Sequence, residues 1–116
     1  MTYVDGYVLT VPKDKKDAYK DTCLKTAEVF KAHGALRCVE CWGDDVPDGQ
    51  LTSFPMAVKA EPDEVVVFSW VVWPSRETRE AGAKAAMEDP RIESIDFSMV
   101  DGKRMIFGSF EPLIDV

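Results

Sequence analysis

Alternating apolar and polar positions, rich in β-branched and aromatic residues, predict four β-strands along the chain. They cover residues 3–11, 35–43, 65–73 and 105–110. The third is the strongest, because every residue in it except one serine is apolar. A further short strand is predicted over residues 54–60, where the pattern is ambiguous.

Two segments between these strands have the spacing of amphipathic helices. In the first, apolar residues recur at helical intervals while charged residues fall between them: Tyr19, Cys23, Ala27 and Phe30. Asp14 is placed to cap its N-terminus, and Gly34 is placed to follow its C-terminus. The second helix is predicted to begin at Ser75 and to end at Asp89 and Pro90, because the residue before a proline disfavours helical geometry.

The order of these elements matches the ferredoxin-like split βαβ pattern. Since 116 residues correspond to about one domain, residues 1–116 are predicted to form a single α+β domain. Its expected architecture is a ferredoxin-like βαββαβ fold with an antiparallel sheet. Two helices are enough to cover one face of that sheet, and the other face is left open.

Both faces of the predicted third strand are apolar. Val67 and Val71 point to one face while Phe68 and Trp70 point to the other, because successive side chains of a strand alternate. An open face of this kind is a larger apolar patch than monomers usually expose. A second copy of the chain is the simplest cover, which predicts a homodimer but leaves open which face forms its interface.

The charge balance separates this chain from nucleic-acid and membrane-surface proteins. It has 14 Lys and Arg against 21 Asp and Glu, a net charge of −7, whereas phosphate binding requires clustered positive charge. The chain shows no signal-peptide pattern at its N-terminus, and its longest apolar run, residues 65–73, is too short to span a bilayer. The expected location is the cytoplasm, where the three cysteines stay reduced.

Five blocks of the sequence resemble a known family: residues 3–6, 34–42, 44–49, 68–70 and 101–106. Together they are similar to the YbaA-like proteins, also called the DUF1428 family, and the resemblance covers essentially the whole chain. It implies a dimeric α+β barrel, in which two ferredoxin-like sheets close into one barrel. It implies no activity, because the function of the family is unknown and the catalytic motifs of enzymes in the wider superfamily do not map onto this chain.

Two acidic residues, Glu40 and Asp5, are the candidate catalytic residues. Each is predicted to lie within a strand, on a face that also carries apolar or aromatic side chains. A carboxylate in such a place is either paired or has a raised pKa, and a raised pKa suits a general acid or base. The alternatives are an ion pair with Arg37 or Arg104, or a strand end open to solvent.

Four further residues are candidate ligand-binding residues, because aromatic and cationic side chains commonly line pockets for small organic molecules: Tyr7, Arg37, Trp42 and Trp70. The alternative for the tryptophans is that they fill the core.

The sequence predicts no metal site and no cofactor. Cys38 and Cys41 have CxxC spacing, but residues three apart on a strand face opposite sides about 10 Å apart, so both are expected to be core thiols. His33, near a helix C-terminus, is expected to cap the helix or to lie on the surface. The acidic turn at residues 44–48 lacks the spacing of a calcium loop, and no phosphate loop or dinucleotide fingerprint is present.

Two functional hypotheses follow. The first is a dimeric protein that binds or converts a small, partly apolar organic metabolite between sheet and helices, without metal or nucleotide. The second is a non-catalytic dimeric module that binds a protein or a stress-related ligand. A buried carboxylate facing a closed but hollow pocket favours the first, whereas a filled pocket with paired carboxylates favours the second.

Overall fold

The computed structural model describes residues 2–116. Its four strands are β1 (Tyr3–Pro12), β2 (Arg37–Trp42), β3 (Glu64–Trp73) and β4 (Ile106–Phe110). One turn of 3-10 helix (Lys13–Lys15) leads into the first of four helices. These are α1 (Lys16–Ala32), α2 (Phe54–Ala57), α3 (Arg76–Glu88) and α4 (Pro90–Glu93).

The strands form one sheet in the order β2-β3-β1-β4, and every neighbouring pair is antiparallel. This is the predicted ferredoxin-like α+β fold. Ser69 on β3 stands opposite both Tyr7 on β1 and Glu40 on β2, so the three side chains point to the same face of the sheet. Because β2 is an edge strand, Glu40 lies at the border of the sheet.

The helices α1 and α3 cover the face that carries Glu40, and the main core lies beneath them. Val11, Val67 and Trp73 are completely buried on this face. Tyr19 of α1 packs with Val11 and Val67, and Phe30 packs against the Trp73 ring at 6.1 Å between centroids. Each such buried side chain stabilises the fold by about 1.5–3 kcal/mol.

The opposite face, which we call the open face, is only partly covered. Val8 and Val66 are buried there beneath Val58, which follows α2. Phe68 and Phe110 on the same face remain 46% and 61% exposed. The structure therefore leaves an apolar strip on the open face.

The prediction of a strand at residues 54–60 is wrong. Residues 54–57 form the helix α2, whose N-cap Ser53 accepts a hydrogen bond from the backbone N–H of Met56 at 3.1 Å. Pro55 in the first turn suits a helix start and cannot donate to a strand ladder. The segment lies on the open face, where Phe54 meets Phe68 edge to face.

The helix ends agree with the sequence in three of four places. Ser75 caps α3 by accepting a hydrogen bond from the Thr78 N–H, and α3 ends at Glu88, just before Asp89 and Pro90. Gly34 has a φ of 110°, the left-handed geometry expected just beyond α1. Asp14, in contrast, lies in the 3-10 turn and does not cap α1, whose N-cap position is occupied by Lys15 without a side-chain hydrogen bond.

Candidate functional site

A cavity of about 300 Å³ lies between the sheet and the helices; we call it the inner cavity. Its walls are mostly apolar, and its aliphatic and aromatic lining includes Leu9, Val71, Phe30, Met87, Phe97 and Val100. The polar side chains in the lining include Glu40, Tyr19, Cys23 and Ser69. The volume is at the small end of the range for protein pockets that hold organic ligands.

Glu40 is the one carboxylate that lines the inner cavity, and it is held by hydrogen bonds rather than by a cation. The Tyr19 hydroxyl donates to its Oε1 at 2.6 Å, and Cys23 and Ser69 lie in the same part of the cavity lining. Among residues 2–116, no lysine or arginine forms an ion pair with Glu40. The predicted alternative of an ion pair with Arg37 or Arg104 is therefore absent from this part of the chain.

Burial of the carboxyl group raises the pKa of Glu40, and the hydrogen bonds from Tyr19, Cys23 and Ser69 only partly offset the rise. The Glu40 residue is nevertheless exposed to solvent, because it lies on an edge strand and lines two open cavities. Solvent therefore reaches the side chain while protein atoms still crowd its carboxylate.

The groups around Glu40 stay protonated at neutral pH. Burial, followed by the charge of Glu40, raises the pKa of Tyr19 far above its ordinary value and that of Cys23 to about 12. The same two causes, in the same order, raise the pKa of Cys38. Since thiolates are the reactive form of cysteine, neither thiol has the character of a nucleophile, and Tyr19 acts as a hydrogen-bond donor.

Asp5 has the geometry of a structural ion pair. It is 2% exposed and accepts hydrogen bonds from Trp73 Nε1 at 3.0 Å, from Arg79 Nε at 3.0 Å and 3.1 Å, and from the Ser109 hydroxyl. Its partner is Arg79 on α3, not Arg37 or Arg104 as the sequence alternatives had it. Its oxygens are thus occupied by groups from three elements, and it does not line the inner cavity.

Arg104 is also engaged elsewhere. It forms two hydrogen bonds of 2.7 Å to Glu64, and another of 2.9 Å to Asp101. The hydrogen bonds from Arg104 hold the pKa of Glu64 at about 2. The network ties the turn before β4 to the start of β3 and leaves Glu40 without this rival partner.

The four predicted ligand-binding residues separate into two groups. Tyr7 lines the inner cavity, where burial followed by the charge of Asp5 raises its pKa to about 12. Trp42 lines a neighbouring space described below. Arg37 and Trp70 point to the open face, opposite Val72 and Val39 respectively, and so lie away from Glu40 and the inner cavity.

A second space of about 530 Å³, which we call the outer groove, lies between α1 and the β2 edge of the sheet. Both spaces share part of their lining, including Glu40, Tyr19, Cys23 and Cys38. The rest of the groove is more polar and includes Lys16, Asp17, Lys20 and Trp42. Glu40 therefore faces both spaces.

The cysteines and the histidine, which were the other candidates for redox or metal chemistry, make contacts typical of residues that stabilise the fold. Cys38 and Cys41 stand opposite Val71 and Phe68, on different faces of the sheet, and both are free thiols. His33 Nε2 lies 2.8 Å from an Asp89 oxygen, which links the C-terminal ends of α1 and α3. Over residues 2–116, no cluster of three or more His, Cys, Asp or Glu side chains is arranged to hold a metal ion.

The helices of residues 2–116 include none that is both long enough and apolar enough to cross a membrane.

Sequence reasoning found Glu40 but not the groups that hold it. The helical spacing predicts that Tyr19 and Cys23 lie on the apolar side of α1, and both side chains do point towards the inner cavity. Their contact with Glu40 depends on how α1 lies over β2, across 21 residues of chain in the case of Tyr19. Ser69, the only polar residue within the apolar run of β3, is the one neighbour that the sequence marks out, since it interrupts that run.

Solved structures share the fold at low sequence identity. The oxygenase SnoaB of Streptomyces nogalater, described as cofactor-independent, superposes with a TM-score of 0.62 at 13% identity, covering 99% of this chain and 96% of its own. A putative antibiotic biosynthesis monooxygenase from Nitrosomonas europaea gives 0.58 at 15% identity, covering 97% and 90%. A dimeric ferredoxin-like protein from an uncultured marine organism gives 0.60 at 12% identity over both whole chains.

Sequence relatives are much more similar. The uncharacterized protein YbaA of Escherichia coli strain K12 is 58% identical over 116 residues, which is 99% of each chain. YbaA of Shigella flexneri matches to the same extent. The profile of the family described as "Protein of unknown function (DUF1428)" matches residues 2–103, and the chain therefore belongs to the DUF1428 family.

Proposed function

We propose that this protein is a cytoplasmic homodimer that binds a small, partly apolar organic molecule in the inner cavity. Glu40 acts there as proton acceptor and donor, without a metal or a nucleotide cofactor. The observation that carries the proposal is a hollow, largely apolar cavity lined by one carboxylate that has hydrogen-bond donors but no cation partner within residues 2–116.

The chemistry of Glu40 follows from its surroundings. Its raised pKa makes the Glu40 carboxylate a stronger base than an ordinary glutamate, which favours taking a proton from a bound molecule and returning it at another atom. Tyr19 keeps its own proton and orients the carboxylate through the 2.6 Å hydrogen bond. No cation of residues 2–116 is paired with the Glu40 carboxylate, whereas the ion pair with Arg79 occupies both oxygens of Asp5.

The proposal of a dimer is supported by the exposed apolar residues of the open face and by a solved structure with the same fold. Phe68, Ile106 and Phe110 expose apolar surface there, which a second sheet would bury. One structural neighbour is itself described as dimeric. The cytoplasm as location is supported by the three free cysteines.

The structural neighbours support the chemical class by analogy of fold. SnoaB is described as a cofactor-independent oxygenase, so this fold can serve a reaction in which the protein and its substrate supply the chemistry. The reaction of SnoaB itself is not carried over to this chain, because the two sequences are 13% identical.

Binding of two matched probes tests the site. 2-Naphthol has an apolar body and one hydroxyl donor, whereas 2-methoxynaphthalene lacks the donor. We expect 2-naphthol to shift the NMR signals of the Met87 and Met105 methyl groups, which line the inner cavity. The Glu40→Gln variant should weaken 2-naphthol binding by about tenfold, the value of a hydrogen bond to a charged group, and leave 2-methoxynaphthalene unchanged. If neither probe shifts these methyl groups, the proposed function is wrong.

The Glu40→Gln substitution should also leave the protein as stable as the parent at pH 8, or make it more stable. A carboxyl whose folded-state pKa is raised stabilises the fold fully below its unfolded pKa of about 4.3, and this stabilisation is lost as the pH rises through the folded value. Glutamine resembles the protonated form, so its advantage should appear at pH 8 and vanish near pH 4. Urea unfolding at both pH values measures this difference in the free energy of unfolding between variant and parent. Loss of stability at pH 8 would indicate that the charged Glu40 carboxylate stabilises the fold, which contradicts its proposed role.

A further inference from the structure

The outer groove differs from the inner cavity in its charge. Lys16 and Lys20, one helical turn apart on α1, both line it, and neither forms an ion pair with any carboxylate of residues 2–116. The Lys16 ammonium lies 5.5 Å from the centre of the Trp42 ring, a cation–π distance that holds it over the groove. Asp17 also lines the groove, so positive charge exceeds negative charge on its α1 side.

Glu40 and Tyr19, which are hydrogen-bonded to each other, line both spaces. A molecule that occupied both would place its apolar part among the side chains of the inner cavity and its polar part near Lys16, Lys20 and Trp42. The atoms between the two parts would then lie beside the Glu40 carboxylate. This arrangement suits a ligand with an anionic group at one end, because the lysines offset the repulsion between that group and Glu40.

We propose that the ligand is an organic carboxylate whose apolar part fills the inner cavity and whose anionic group binds Lys16 and Lys20 in the outer groove. This inference rests on the proposed function and adds the substrate class, which is an apolar carboxylic acid. The atoms that join its apolar part to its carboxylate would lie beside Glu40. Lys16 and Lys20 position the ligand and take no part in the proton transfer.

The test compares 2-naphthylacetate with its neutral amide, 2-naphthylacetamide, by calorimetry. The parent protein should bind the acetate about tenfold more tightly than the amide, since two partly exposed charge contacts favour it. The preference should weaken as sodium chloride is raised. The double variant Lys16→Met, Lys20→Met should lose the preference for the acetate, and the variant Lys16→Arg, Lys20→Arg should retain it.

Lys25 provides the matched control. It lies on the same helix, is paired with Asp21 at 3.0 Å and does not line the groove, so Lys25→Met should keep the parent's preference. An unchanged preference in the double methionine variant, or a parent that prefers the amide, would overturn the carboxylate assignment while leaving the proposed function intact. Failure of both probes to bind would overturn the proposed function and this inference with it.

Discussion

The substitution Val67→Asp is expected to unfold the subunit, whereas the same substitution at the next residue, Phe68→Asp, is expected to leave the fold intact and dissociate the dimer. Val67 of β3 is completely buried beneath the helices. An unpaired charge there costs at least about 4 kcal/mol, which is a large share of the 5–15 kcal/mol that holds a domain together. Phe68 points the other way and is 46% exposed in the single chain.

Circular dichroism and sedimentation velocity distinguish the two outcomes. The parent should sediment as a particle of twice the 13.0 kDa chain mass, and the Phe68→Asp variant as a single folded chain. Phe68→Leu is the control, because it keeps an apolar side chain at the proposed interface. A parent that is a stable monomer at micromolar concentration, or a Phe68→Asp variant that stays dimeric, would contradict the proposed interface.

Gly82→Ala is expected to destabilise the protein by about 3 kcal/mol, although alanine is the better helix former. A methyl group at this position of α3 would overlap the His33 carbonyl oxygen and would lie 2.5 Å from the Trp73 ring. The carbonyl belongs to the backbone at the end of α1, and the completely buried Trp73 has no free space, so neither can move aside easily.

Gly102→Ala is the control for this effect, because no atom lies within 4 Å of the added methyl group. Its unfolding midpoint in urea should match that of the parent. If Gly82→Ala is as stable as Gly102→Ala, then α3 does not approach α1 and β3 as closely as the structure places it.

The strands and the long helices could be predicted because their signals are local. The alternation in residues 65–73 places Val67 and Phe68 on different faces whatever the rest of the chain does. The prediction of a strand over residues 54–60 was wrong, because a serine cap and a proline in the first turn favour a helix more strongly than the weak apolar pattern favours a strand. Local rules of this kind decide element type, and they were sufficient for the ferredoxin-like order.

The candidate site was only partly predictable because it depends on contacts between distant elements. Alternation placed Glu40 on its face of β2, and the same rule puts Arg37 on the other face. The pairing of Asp5 with Arg79 joins residues 74 positions apart, and nothing in the local sequence distinguishes Arg79 from other arginines on helices. The outer groove likewise arises from the way the first turns of α1 lie beside β2.

The measurement that tests the central claim most directly is a pH titration of the Glu40 side-chain carboxyl by carbon-13 NMR in the parent protein. Glu64 serves as the internal reference, since its hydrogen bonds with Arg104 place its pKa at about 2. A Glu40 midpoint clearly above the ordinary value of about 4.3, shifted further when 2-naphthol is added, is the predicted result. A midpoint at or below that value, unaffected by the probe, would contradict the assignment of Glu40 as the proton-handling group of a ligand site.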